Sequence, residues 1–223
     1  MSSRRAAIES GEAVLVMAMM KHGPEANRKF RNAVRLARCH LPDGLPSGFF
    51  LTDPTRTPDP LQTVPRLPES IGVILRHFGQ QEQIALAGPL AGLCREQARC
   101  FLVAADPVTA HRVGADGVHW PARLAGTARK ASHHFAINTM SAHSLEECRA
   151  AERLCMDGLI LSPVFPSESP SAGQPLGIMR FSAYASACRV PVYGLGGIDH
   201  TNVERVASFG GFASVSGLAE SVV

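Results

Sequence analysis

The chain has 223 residues, a formal net charge of +3, 45% hydrophobic residues and 18% charged residues. This composition excludes a disordered chain, and so small a charge makes no case for a nucleic-acid partner. One domain is expected, long enough to bury a substantial core.

The first segment carries Arg4 and Arg5, then the apolar run Ala13-Val14-Leu15-Val16-Met17-Ala18-Met19-Met20. That run is too short to span a bilayer. Glu9 and Glu12 interrupt its approach and no small-residue cleavage pattern follows, so neither a signal peptide nor a membrane association is expected. The cytoplasm is the expected location. Glu25–His40 reads as a helix, with Arg28, Lys29, Arg31, Arg35 and Arg38 interleaved with Phe30, Val34 and Leu36. Its basic residues are expected to form a solvated face on a helix packed against the rest of the chain.

Prolines at 42, 46, 54, 58, 60, 65 and 68 mark loops and predict a short or irregular first crossover helix. From about Ser47 onward, short apolar runs alternate with amphipathic ones. Eight strands are predicted, at Gly48–Leu51, Ile71–Leu75, Cys100–Ala104, Gly117–Trp120, Phe135–Met140, Gly158–Leu161, Val190–Leu195 and Phe212–Val215. Helical spacing fills Gln83–Gln97, Ser144–Leu154 and Asn202–Phe209. Ser144 with Glu147 forms a capping box at one of these helix starts. A weak internal echo recurs at Asp116-Gly117, Asp157-Gly158 and Gly210-Gly211, where glycine is read as stopping a helix before the next strand. The alternation predicts a parallel α/β fold, and the count of eight a closed (β/α)8 TIM barrel. A doubly wound open sheet is the alternative. The reading divides the chain into an N-terminal helical extension, 1–45, and a barrel, 46–223.

Two turns near the end bear most directly on function. Tyr193-Gly194-Leu195-Gly196-Gly197-Ile198 and Ser214-Val215-Ser216-Gly217 each run from an apolar strand into a glycine- or serine-containing turn and then a helix. Turns after the last two strands of such a barrel habitually hold a phosphate, because glycine admits the anion close to the backbone and helix-start N–H groups donate to it. A phosphorylated small molecule is the expected ligand. The six cysteines, Cys39, Cys94, Cys100, Cys148, Cys155 and Cys188, show no metal or redox spacing and are read as small hydrophobes. His77, His119 and His143 suggest a three-histidine metal site only in the abstract, since nothing in their spacing tests it. His133-His134 is read as a solvated loop.

From Phe49-Phe50-Leu51-Thr52-Asp53-Pro54 to Ser216-Gly217-Leu218, the chain resembles the thiamine phosphate synthase/TenI family. The matching landmarks are Gly114-Ala115-Asp116-Gly117-Val118-His119, Ser141-Ala142-His143-Ser144, Ser162-Pro163-Val164-Phe165-Pro166-Ser167, and the two turns just described. The resemblance implies a barrel with its site at the C-terminal ends of the strands. Synthases of the family join a pyrimidine pyrophosphate to a thiazole phosphate with Mg²⁺; the TenI branch isomerises a thiazole carboxylate phosphate by proton transfer, without metal.

Against the synthase pattern, this chain reads Ile74-Leu75-Arg76-His77-Phe78 where Gln-Leu-Arg-x-Lys is expected, so the arginine stands but the glutamine and lysine do not. The family's Asn-Asp falls on Ala104-Ala105, its Gly-Gln-x-Asp turn on Pro121-Ala122-Arg123-Leu124, and its Thr-x-Thr-Lys turn on Ser167-Glu168-Ser169-Pro170. Two metal carboxylates and two lysines are therefore missing from separate loops.

What the resemblance leaves is a phosphate cradle of Gly196, Gly197, Val215, Ser216 and Gly217, with Ser141, Ser167 and Ser169 toward the substrate. His143 matches the acid/base histidine of the tautomerase branch, and Arg76 is assigned to the substrate's anionic group, with pairing to Asp53 as its structural alternative. The expected partner is a small phosphorylated heterocycle, with no cofactor; alanine and leucine on the outer helices suggest a homodimer. Two other readings stay open. A genuine synthase would need Mg²⁺, with Asp106 and Glu168 as replacement ligands and Arg123 in place of a lysine. A non-catalytic sensor of phosphorylated ligands would bind without turnover.

Overall fold

The computed structural model describes residues 24–167 and 173–222; Arg4, Arg5, the apolar run at 13–20, Glu168 and Ser169 lie outside the described residues. Eight parallel strands close into a barrel in the order β1 to β8. They are β1 Gly48–Leu51, β2 Ile71–Leu75, β3 Phe101–Ala104, β4 Gly117–Trp120, β5 Ile137–Ala142, β6 Gly158–Leu161, β7 Val192–Gly194 and β8 Gly211–Ser214. The seam closes where Gly48, Phe49 and Phe50 of β1 pair with Phe212, Ala213 and Ser214 of β8. The open-sheet alternative is thereby set aside.

Helix α1 covers residues 24–38. The strands are then separated by α2 (Pro60–Thr63), α3 (Gln81–Ala85) and α4 (Ala87–Glu96), α5 (Pro107–Val113), α6 (Ala125–Ala131), α7 (Leu145–Arg153), α8 (Gly177–Ala187) and α9 (Val203–Ala207), with α10 (Ser216–Glu220) after β8. The proline-rich first crossover holds only α2 and a short 3₁₀ turn, as its composition requires. The predicted helix over Gln83–Gln97 is split at Leu86 because Pro89 has no N–H to give the Ala85 carbonyl. The fifth strand starts two residues later than predicted. Asn138 accounts for this: its side-chain amide donates to the Ser132 and Phe135 carbonyls, which holds Phe135 in the preceding turn.

Alternation along each strand separates two cores. Phe49, Leu51, Ile74, Leu102, Ile160, Tyr193, Ala213 and Val215 fill the barrel. Phe50, Val73, Leu75, Val103, Val118, Trp120 and Phe212 face the helices. The lower end of the interior is plugged by Tyr193, whose ring lies 5.0 Å from that of Phe49 and whose hydroxyl donates to the Pro46 carbonyl at 2.8 Å. The glycine echo has a different cause from the one expected. Gly117, Gly158 and Gly211 open strands rather than stop helices. A Cβ on Gly117 would fall 1.6 Å from the Ile137 carbonyl oxygen, and one on Gly211 would fall 2.1 Å from the Tyr193 ring. The aspartates of the echo accept backbone N–H groups one strand back, Asp116 from Phe101 at 2.8 Å and Asp157 from Asn138 at 2.7 Å.

Helix α1 shares the outer core. Phe30, Ala33 and Ala37 are fully buried, and the Phe30 ring sits 5.8 Å from that of Phe212. Lys29 pairs with Glu204 of α9 at 2.8 Å, while Arg28, Arg31, Arg35 and Arg38 are exposed. The helix thus covers the strand that closes the barrel. Phe30→Ala is expected to cost about 3–5 kcal/mol, the usual penalty for emptying an aromatic core position. Urea unfolding of the variant measures it; a loss under about 1 kcal/mol would mean that the helix does not secure the seam.

Candidate functional site

At the C-terminal face a cavity of about 350 Å³ opens over β7, β8, β5, β6 and the loops after β1 and β2. Its wall includes the turn after β7. Gly196 has φ +99° and Gly197 φ +61°, conformations that suit residues without a Cβ. Space demands glycine there as well. A Cβ on Gly196 would meet Pro163 at 2.8 Å, and one on Gly197 would meet the Pro166 carbonyl at 2.2 Å.

The second turn is fastened to the first. Ser214, buried at the end of β8, donates its hydroxyl to the Ile198 carbonyl at 2.7 Å. Gly217 lies so close that a Cβ would be 2.4 Å from the same carbonyl oxygen. Asn202 donates to the Gly197 carbonyl at 2.8 Å and accepts the Asp199 N–H at 3.1 Å. Gly196, Gly197, Val215, Ser216 and Gly217 therefore line one concave wall. The first-turn N–H groups of α10 have no partner inside that helix by its geometry.

Arg76 follows β2 and lines the cavity. Its Nε donates to the Thr52 carbonyl at 2.8 Å, and an NH2 proton goes to Asp53 Oδ2 at 3.1 Å, so the expected structural pairing is present at the cavity wall. Burial, with the charge of Arg56 adding to it and Asp53 opposing, lowers the Arg76 pKa to about 10, which leaves it cationic. Arg56, which the sequence reading missed, lines the same cavity and reaches the same Asp53 oxygen at 2.8 Å. Its only cue was an i,i+3 relation to Asp53 inside a proline-rich loop. Burial alone would raise the Asp53 carboxyl, yet hydrogen bonds and charge from Arg56 hold it below its ordinary value.

His143 stands between β5 and α7, exposed and lining the cavity. Ser144 caps α7 by accepting the Glu147 N–H at 3.2 Å, and Glu147 reaches back to the His143 N–H at 2.6 Å. The imidazole is oriented by its Nδ1, 2.8 Å from the Ser162 carbonyl. A carbonyl only accepts, so Nδ1 carries a hydrogen, and in the neutral ring the lone pair is on Nε2.

The remaining sequence candidates separate. Ser167 lines the cavity. Ser141 does not: its hydroxyl bonds His119 Nε2 at 2.8 Å, while His119 Nδ1 bonds the Thr139 hydroxyl at 2.9 Å. Val118 and Trp120 face outward, so His119 between them points into the barrel, where burial and then the Arg76 charge lower its pKa to about 3. His77 accepts the Gly79 N–H on Nδ1 at 3.0 Å and places Nε2 3.4 Å from Asp106, away from the cavity lining. Asp106 is occupied as the N-cap of α5, accepting the Thr109 N–H at 2.9 Å. Arg123 is exposed outside the cavity. Among the described residues no three His, Cys, Asp or Glu side chains group closely enough to hold a metal ion, so the three-histidine site does not form. Among the described residues no donor set fits Mg²⁺. Ala105, where the family's carboxylate would fall, keeps a left-handed φ of +61° that asparagine or aspartate tolerates better than alanine.

Closed parallel strands with a glycine-lined cavity at their C-terminal mouth define a (β/α)8 barrel. Over residues 70–218, well over half its length, the chain matches the family model described as thiamine monophosphate synthase, and it belongs to that family. It is 28% identical over 204 residues to the thiamine-phosphate synthase of a Bacillus cereus strain, covering 84% of this chain and 92% of that protein. It is 32% identical over 131 residues to the thiamine-phosphate synthase of a Prochlorococcus marinus strain, a match covering 58% of this chain and only 38% of that longer relative. Its fold is that of the thiamine phosphate pyrophosphorylase from Pyrococcus furiosus, with a TM-score of 0.66 at 21% identity over 86% of this chain and 95% of the other. No described helix is long and apolar enough to cross a membrane.

His119 sets an acid limit on stability. Unfolded, its imidazole protonates near the ordinary value of 6.5; folded, it stays neutral down to about 3. The unfolded state therefore binds the extra proton between those values. The stability His119 contributes is complete above 6.5 and falls on acidification, by up to about 1.4 kcal/mol per pH unit. Urea unfolding from about pH 7 to about pH 4, a window that brackets the ordinary imidazole value, is expected to show a shallower pH slope in His119→Gln than in the wild type. Equal slopes would refute the buried neutral imidazole.

Proposed function

We propose that this protein binds a thiazole phosphate, or a similarly phosphorylated small heterocycle, at the C-terminal face of its barrel and isomerises it by metal-independent, tautomerase-type proton transfer. The observation that carries this reading is the fixed tautomer of His143. The Ser162 carbonyl holds Nδ1–H, so in the neutral ring Nε2 is the basic nitrogen, beside the glycine turns that would seat the phosphate.

The phosphate rests on Gly196, Gly197, Val215, Ser216 and Gly217, where backbone N–H groups replace its water. Arg76 receives a second anionic group, and Ser167 borders the heterocycle. His143 Nε2 takes a proton from one ligand atom and returns it to another. The imidazolium formed in between keeps its Nδ1–H on the Ser162 carbonyl, so the ring does not reorient between the two transfers. Ser141, held by His119, acts from behind the wall rather than on the ligand. Ser169 belongs to the same proposed substrate border by its place in the sequence.

A second reading, a genuine synthase joining pyrimidine pyrophosphate to thiazole phosphate, is favoured by the names of the relatives. Its weakness is the engaged Asp106 and the outlying Arg123.

Solvent-deuterium incorporation into a thiazole carboxylate phosphate, followed by NMR, tests the proposal. His143→Ala is expected to slow exchange by about 10²–10⁴-fold, the usual worth of a positioned acid/base, while phosphate binding persists. Thiamine phosphate formation that requires Mg²⁺ and stops with EDTA would establish the synthase reading instead. Binding with no turnover in either assay would leave a sensor.

A further inference from the structure

We infer that Cys148 and Cys188 form a thiol–disulfide exchange site on the outside of the barrel, with Cys188 as the attacking sulfur and Cys148 as the sulfur that closes the disulfide. Its substrate is a small-molecule disulfide of the oxidised-glutathione class. The site lies away from the mouth, beside the N-terminal end of β7, and is independent of the ligand bound there.

Spacing along the chain hides this pair; packing brings it together. Cys148, on α7, is fully buried in the outer core. Cys188 ends α8, with its N–H on the Tyr184 carbonyl at 3.0 Å, and is half-buried against the same core. One helical turn beyond Cys148, Glu152 accepts the Arg189 N–H at 2.6 Å, which pins the end of α8 to this face of α7. The two thiols are left in hydrogen-bond contact. A disulfide needs its sulfurs about 2.0 Å apart, and sulfurs already in contact reach that distance by a small side-chain movement.

The two sulfurs are not equivalent. The hydrogen bond from Cys148 lowers the Cys188 pKa, against burial and the charge of Glu152 and with help from Arg149. The same bond, with burial, raises the Cys148 pKa. Access differs in the same sense. Cys188 lines a cavity of about 430 Å³ with the exposed Arg189 on its wall, whereas Cys148 takes no part in that lining. The sulfur that is more readily a thiolate is therefore the reachable one, beside a cation that favours an anionic disulfide. Cys94 and Cys100 make the contrast: burial pushes both up, Cys94 to about 12, and leaves them inert.

The exchange proceeds in two steps. The Cys188 thiolate bonds to one sulfur of the reagent, whose S–S bond breaks, and one reagent thiolate leaves with the electron pair. Cys148 then loses its proton, attacks the Cys188 sulfur and expels the second reagent thiolate. Two protein thiols are oxidised to one disulfide, the reagent is reduced to two thiols, and the two protons end on those thiols.

The test is to incubate the native protein with oxidised glutathione, alkylate it in denaturant and map its peptides by mass spectrometry. The wild type is expected to yield the Cys148 peptide joined to the Cys188 peptide, roughly 3- to 10-fold faster than glutathione adds to the exposed Cys39 or Cys155. Cys148→Ala should stop at a mixed disulfide on Cys188. Cys188→Ala should leave the buried Cys148 to be alkylated as a free thiol. Thermal melts show that each variant is folded; should Cys148→Ala fail to fold, the wild-type linkage and Cys188→Ala decide. Glutathione confined to Cys39 and Cys155, or a mixed disulfide persisting on Cys188 in the wild type, would overturn the site. So would glutathione on Cys148 in Cys188→Ala.

Discussion

Pairing of β1 with β8 is the constraint on which the rest of the molecule depends. Gly48, Phe49 and Phe50 take Phe212, Ala213 and Ser214 as neighbours, and a Cβ on Gly48 would lie 2.7 Å from the Phe212 ring. That contact turns an open sheet into a closed one and leaves no free edge. Closure brings every strand's C-terminal end to one mouth. Arg56 and Gly217, far apart along the chain, become walls of one cavity only because the first strand lies beside the last. Helix α1 belongs to this constraint, since Phe30 packs on the outward ring of Phe212.

The interior of the barrel divides into an apolar floor and a polar upper wall. Tyr193 and Phe49 fill the bottom, with glycine at positions 158 and 211 making room for the tyrosine ring. Above them His119, Thr139 and Ser141 form a buried chain in which both ring nitrogens are satisfied. A satisfied network of this kind orients its members without leaving an orphaned donor, and it keeps His119 neutral beneath the cationic Arg76. Arg56 and Arg76 line the mouth, and His143 stands on its rim.

The loops after β3 and β4 lack the carboxylates that the family resemblance leads one to expect there. Ala105 retains a left-handed conformation and donates to the His119 carbonyl at 2.9 Å. Position 105 itself carries no polar side chain. Asp106 caps a helix instead, and the neighbouring loop presents Arg123 to solvent. The cavity wall presents the glycine turns and the two arginines that share Asp53.

Much of the fold was legible in the sequence. Strands β1, β2, β4 and β6 have the bounds that their apolar runs predicted, because a strand buried on both faces reads as a nearly continuous apolar run, broken here only by the hydrogen-bonded His119 of β4. The glycine turn after β7 was legible for a related reason, since few other residues accept its dihedral angles. Local pattern did not separate Ser141 from Ser167: both are small hydroxyls toward the C-terminal face, but one bonds a buried histidine and the other lines the cavity. Nor did it find Arg56, whose role arises from a carboxylate it shares with an arginine on the next strand. The sequence by itself determined the strand–helix alternation, its periodicity and the place of the glycine turns, because these follow from local burial and backbone freedom. Only the tertiary structure decided which polar side chains meet in the mouth, because that depends on register and closure, which couple residues with no pattern along the chain.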